Sequence, residues 1–206
     1  MSTYAIKEEP FTGLAETVSA VIRSRKTVFA DELLPDPVAP EIIEEILTDA
    51  IWAPTHKLTQ PWHFVVADSR ELRADFGRFM LDYYQKKYTI DQFPPSRYED
   101  TLSYPLNGGT IVFLMMRRSE RADVLPEWEE LAAVSCAAQN IWLSCTARGL
   151  GTYWDTASAT IAFGERFITS DLEQCLGCFF IGYYEEARVQ RNRKRKPLYT
   201  KLTWIK

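Results

Sequence analysis

Leu14, Val18, Val21 and Ile22 recur at helical spacing, which predicts an amphipathic helix over residues 14 to about 26. Its last turn is basic, with Arg23, Arg25 and Lys26. A proline-rich connection (Pro35, Pro37, Pro40) follows, and Pro40 suits the first position of a second helix, where its missing N–H would be unpaired anyway. Ile42, Ile43, Ile46, Leu47, Ala50 and Ile51 give that helix one apolar face, and Leu72, Phe76, Phe79, Met80, Tyr83 and Tyr84 mark a third. Ile111–Met116 is an unbroken apolar run of strand length, expected to be covered on both faces. Pro126 opens the longest helix, about 126–148, with Leu131, Val134, Ala138, Ile141, Trp142 and Cys145 apolar and many alanines that let another helix come close. Gly149 suits its C-cap. Strands are expected at 62–67, 150–154 and 178–184, with a weaker helix near 160–168. Helices alternating with mostly apolar strands predict an α/β or α+β protein, its helices packed around a central sheet.

Two segments stand outside this pattern. Residues 52–64, WAPTHKLTQPWHF, put Thr55, His56, Lys57, Thr59 and Gln60 between two prolines, a polar loop anchored on core elements and suited to a polar ligand. Residues 89–109 contain Pro94, Pro95, Pro105, Gly108 and Gly109 and show no sustained period. A loop of that length in a compact domain reads either as an active-site lid or substrate-side loop, or as variable surface.

The 206 residues suit a single domain, 1–206, and a net charge of -4 favours neither nucleic acid nor an anionic membrane as partner of the whole molecule. MSTYAIKEEP has no apolar core segment of a secretory signal, and no run approaches the roughly 18 apolar residues of a membrane span, so a soluble, cytoplasmic protein is expected. Cys175 and Cys178 form a C-x-x-C pair, in principle a redox dithiol or half of a zinc site. They run into CFFIGYY, which reads as a strand rather than a helix, and the histidines lie far away, so structural thiols fit better. Cys136 and Cys145, inside a predicted helix, read the same way. The run RVQRNRKRK at 188–196 is a solvated tail, a nucleic-acid patch or a site for a small phosphorylated ligand; without any nucleic-acid motif, the last suits an acidic chain better than a polyanion does.

No G-x-G-x-x-G, Walker loop, G-x-S-x-G or H-E-x-x-H occurs. Of the two histidines, His63 falls in a predicted strand and His56 in the polar loop, which makes His56 the better functional candidate. With so little side-chain machinery, an enzyme of this sequence would rely on a cofactor.

Four segments in order resemble the flavin-dependent nitroreductase family and together span nearly the whole chain: IRSRKTVF at 22–29, the Pro-x-His-Lys…Gln-Pro-Trp loop, PEWEELAAVSCAAQNIWLSCTARGLGTYW at 126–154, and GYYEEARVQRNRKRKP at 182–197. The short single-domain members are the most similar. The resemblance implies an α+β fold, a three-layer α/β/α sandwich with a mostly antiparallel central sheet and a long dimer-interface helix. It implies a homodimer with two FMN sites, each built from both chains, the basic tail 188–206 packing on the FMN site or the partner subunit. Arg25, Lys26, Thr27, Arg193 and Arg195 would hold the phosphate and ribityl chain. Thr55, His56 and Leu58 would lie along the flavin, although many members carry asparagine at the position of Leu58. Tyr153, Trp154, Asp155 and Thr156 would lie against the isoalloxazine, and Ser144–Gly149 near the nicotinamide nucleotide. The implied activity is ping-pong: NAD(P)H delivers hydride to flavin N5, and a nitroaromatic or quinone-like acceptor then takes the electrons, with no catalytic side chain and no metal required. Alternatives are a same-fold dehalogenase or flavin-cleaving enzyme, or a flavin- or nucleic-acid-binding module without turnover.

Overall fold

In a computed structural model, which describes residues 13–120 and 125–205, the chain runs through α1 (Leu14–Ser24), α2 (Pro40–Ala50), β1 (Trp62–Ala67), α3 (Arg70–Lys87), α4 (Tyr98–Ser103), β2 (Thr110–Arg117), α5 (Glu127–Ala147), β3 (Gly151–Asp155), α6 (Ser158–Gly164) and β4 (Glu173–Gly182). The four strands form one sheet in the order β1-β2-β4-β3, every neighbouring pair antiparallel. Alternation along the strands builds the two outer layers. Ile111, Phe113, Met115 and Phe180 pack with Phe76 and Met80 of α3 and Phe163 of α6. Val112, Leu114, Met116, Phe179 and Ile181 pack with Ile43 and Ile46 of α2 and Val134, Ala138 and Ile141 of α5. The result is the expected α/β/α sandwich, with β2 buried on both faces from Thr110 to Met116.

Pro40 opens α2, and Gly149 caps α5 in the left-handed region (φ 71°), with the Leu150 N–H donating to the Cys145 carbonyl at 2.9 Å. Two expectations need correcting. The final strand begins at Glu173, so both cysteines of the C-x-x-C pair lie inside it. Phe113 pairs with Cys178 but Met115 with Cys175, two residues of β2 against three of β4, and the extra residue makes a bulge containing Gly177 (φ 106°). A Cβ on Gly177 would stand 2.1 Å from the Asp155 carbonyl oxygen. The bulge turns Cys175 and Cys178 to the same face, where both join the α3/α6 core. Burial pushes the Cys175 thiol up to about 11 and likewise raises Cys178 well above the ordinary thiol value, the behaviour of structural thiols.

Segment 89–109 is the second correction. It contains α4 with single 3₁₀ turns at Pro95–Arg97 and Tyr104–Leu106. A six-residue helix is too short to print a period on the sequence. Arg73 of α3 fastens its end, donating to the carbonyls of Pro105, Leu106, Gly108 and Gly109 at 2.7–3.0 Å. The reading of the first ten residues concerns a stretch outside the described residues. Among the described residues no helix is long and apolar enough to cross a membrane.

Candidate functional site

The basic end of α1 and the C-terminal tail converge. Arg25, the C-cap residue of α1, lays its guanidinium over Trp142 of α5, 4.7 Å from the ring centroid. Arg193 Nη1 donates to the carbonyls of Arg23 at 2.5 Å and Ser24 at 2.8 Å. Burial, then the charges of Arg195 and Arg193, lower the pKa of Arg25. Its Nη1 is buried and has no hydrogen-bond partner, the only such side-chain atom among the described residues. A buried donor of that kind costs free energy unless a ligand accepts from it. Three arginines from the two ends of the chain, none in an ion pair among the described residues, suit a phosphate. Two other cations there hold the scaffold. Lys26 Nζ meets Glu186 Oε1 at 2.6 Å and the Val189 carbonyl at 3.3 Å. Arg191, which the sequence did not single out, donates to the Thr27 carbonyl at 3.1 Å, pairs with Glu32 and covers Phe29.

The Val28 N–H donates to the Thr152 carbonyl, so residues 25–28 run beside β3 and lead to the second group of expected residues. Tyr153 is buried and stacks on Phe180 (5.5 Å, 8°), while the Trp154 indole N–H donates to the Leu176 carbonyl at 2.8 Å. Both rings serve packing. Asp155 accepts from the Ala157 N–H at 2.9 Å and the Thr160 hydroxyl at 2.7 Å, and Thr156 is exposed. Asp155 and Ala157 line a cavity of about 630 Å³ whose other walls include Tyr84, Tyr88, Phe93, Arg97 and Tyr104. Burial, then the nearby Asp155 charge, raises the pKa of Tyr84 and Tyr104, so both phenols stay protonated donors at neutral pH. Tyr84 was visible only as a helix-face residue, and Arg97 and Tyr104 lay in the segment without a period. The i, i+4 spacing of Tyr84 and Tyr88, two rings with polar tips, was the one available signal.

The polar loop stands elsewhere. Lys57, Leu58 and Gln60 all have positive φ (51°, 55°, 46°), the non-glycine residues in that region among those described. Thr55 Oγ1 accepts from the Gln60 N–H at 3.2 Å and lies 3.0 Å from Thr59 Oγ1. Such strain clusters where a loop is preset for a ligand. His56 Nδ1 meets Glu129 Oε2 at 2.5 Å, which fixes the loop to the first turns of α5, and Leu58 is 77% exposed. The arginine cluster sits at the other end of that helix, on Trp142. Thirteen residues of α-helix span about 20 Å. One chain therefore brings together Arg25, Thr27, Arg193 and Arg195 at the Trp142 end of α5 and holds Thr55, His56 and Leu58 apart from that cluster, while Trp154 and Thr156, at the far end of β3, line a cavity with Leu131 near the start of α5.

Residues 22–183 match the Nitroreductase family. The chain belongs to the nitroreductase family. Like the family, it is an oxidoreductase. Over 186 residues it is 25% identical to the Bacillus subtilis protein named "Putative NAD(P)H nitroreductase YfhC", an alignment covering 89% of this chain and 91% of that protein. The nitroreductase-like family protein of Bacillus cereus has the same fold, with a TM-score of 0.73 at 22% identity, covering 100% of this chain and 98% of that one. So has a Desulfovibrio desulfuricans protein described as a "putative nitroreductase in complex with FMN", with a TM-score of 0.66 at 19% identity, covering 97% and 99%. Within this nitroreductase scaffold His63 is structural: its Nδ1 meets Glu173 Oε1 at 2.5 Å, alongside Arg117.

Proposed function

We propose that this chain binds FMN and reduces nitroaromatics, quinones or similar acceptors with NAD(P)H, as a homodimer with two sites at the subunit interface. The observation that carries this reading is the buried, unpartnered Arg25 Nη1 beside Arg193 and Arg195. Bound FMN would supply the redox chemistry, taking a hydride equivalent from the nicotinamide and passing electrons to the acceptor. The protein's own part is binding and orientation. Arg25, Arg193 and Arg195 hold the phosphate, and Lys26 and Thr27 keep the tail against it. The backbone at Tyr153–Thr156 and the tyrosine-lined cavity position the ring and the stacked acceptor. Thr55, His56 and Leu58 reach the cofactor from the second subunit, since in their own chain they lie at the far end of α5.

Purified protein is expected to be yellow, to carry close to one FMN per chain and to consume NAD(P)H only when a nitroaromatic or quinone is supplied. A colourless protein that FMN does not reconstitute overturns the reading. A yellow protein without turnover reduces it to a flavin binder.

A further inference from the structure

The cavity of about 630 Å³ beside Asp155 owes much of its wall to segment 89–109, which shows no period in the sequence. Its aromatic rings brace one another. Tyr84 meets Phe93 at 5.4 Å between ring centroids and Tyr88 at 6.0 Å, and Phe93 meets Tyr98 at 5.4 Å. Pro94 and Pro95 stiffen the approach to α4, and Arg73 fastens the stretch that follows it. Arg97 stands where the 3₁₀ turn Pro95–Arg97 gives way to α4, and its carbonyl accepts from the Thr101 hydroxyl at 2.8 Å. Its backbone is therefore held on both sides.

The polar groups that this cavity leaves free are mostly donors. Arg97 is the one cation among the lining residues; it is exposed, and its guanidinium has no ion pair among the described residues. Gln92 engages its side-chain carbonyl with the Thr89 N–H at 3.1 Å and the Thr89 hydroxyl at 3.3 Å, which leaves its amide N–H groups for a ligand. Tyr84 and Tyr104 are phenols kept protonated by burial and by the Asp155 charge. Of the two carboxylates in the lining, Asp155 is already matched by the Ala157 N–H and the Thr160 hydroxyl, and Asp100 is exposed. Aromatic walls beside an unpaired guanidinium fork suit a flat ring that bears a carboxylate.

We propose that this cavity takes an aromatic ring between its tyrosines and binds a carboxylate on that ring through Arg97. The acceptors are then narrowed from nitroaromatics and quinones in general to those carrying an anionic carboxylate. This rests on the reading of the cavity as the acceptor's place and adds the group by which the acceptor is recognised. Asp100, three residues on from Arg97, works against it, since its charge repels the same ligand. Selectivity for the anion therefore depends on Arg97.

The test compares para-nitrobenzoate with para-nitrobenzamide, a neutral acceptor of nearly the same shape. Calorimetry on the oxidised protein without NAD(P)H should show the benzoate bound more tightly, and steady-state assays should give it the lower KM. Arg97→Gln should reduce the benzoate-to-benzamide ratio roughly 10-fold, in affinity and in kcat/KM alike, the effect of one charge-assisted hydrogen bond. Comparing that ratio between two proteins cancels the difference in reduction potential between the two acceptors. Arg97→Lys should restore part of it, because the charge stays while the fork is lost. Asp100→Asn should move the ratio the other way. A yellow, active protein whose ratio is the same with and without Arg97 overturns the proposal and leaves the flavin reading standing. Benzoate-selective binding that Arg97→Gln abolishes, in a protein that FMN does not reconstitute, supports the carboxylate site and fails the flavin reading. Neither flavin nor selective binding fails both.

Discussion

A cation meets its partners either within the fold or in a ligand, and the basic tail contains both kinds. Arg188 pairs with Glu185 and Arg191 with Glu32, so these two charges belong to the scaffold. Arg193 is held by the carbonyls that end α1, and Arg195 adds its charge beside Arg25. The sequence presented six cations in nine residues and had no means of separating them, because the distinction depends on which acidic side chains the fold brings near. Arg195→Ala is expected to weaken FMN retention by roughly 10- to 100-fold, the scale of one charge-assisted hydrogen bond of about 1.5–3 kcal/mol. The measure is the dissociation constant by flavin fluorescence at fixed salt; unchanged retention would return Arg195 to the solvated part of the tail.

At the scale of elements, three strands are joined at one end of the sheet by Glu173 of β4. Its carboxylate meets His63 of β1 and Arg117 of β2, and accepts from the Thr169 N–H at 3.1 Å. Burial by itself would raise its pKa, but the Thr169 N–H, the hydrogen bond and charge of His63 and the charge of Arg117 outweigh that and hold it below the ordinary carboxylate value. A carboxylate depressed in the folded state adds stability above its unfolded pKa and loses it as pH falls through the folded value. Glu173→Gln should therefore unfold at lower urea than the parent at pH 7, with the gap closing on acidification below about pH 4.5, the ordinary glutamate value. A gap just as wide at pH 3 would show that packing, not charge, is what the substitution removes. Patterns long enough to repeat were legible at this scale: α2, α3, α5 and β2 lie where their periods put them. The bulge in β4 and the six-residue α4 were not, because one extra residue in a strand and a helix of under two turns leave no period to read.

For the whole molecule, the proposed homodimer draws the 55–58 loop and the arginine cluster of each site from two chains. FMN retention should fall on dilution in step with dissociation of the dimer, followed by flavin fluorescence alongside light scattering. Retention independent of protein concentration, down to where only monomer remains, would mean that one chain completes the site. By itself the sequence determined the layered class, the positions of the long helices and the buried strand, and which segments carry polar chemistry. These follow from apolar spacing and residue type, which are local. Tertiary structure alone decided that Arg25 is left with a buried, unmatched donor while Lys26 is neutralised by Glu186. It likewise turned Tyr153 and Trp154 into the core and set a tyrosine-lined cavity beside Asp155. Each of these depends on contacts between residues far apart in the chain, and a linear pattern carries no record of which charges and rings meet once the layers close.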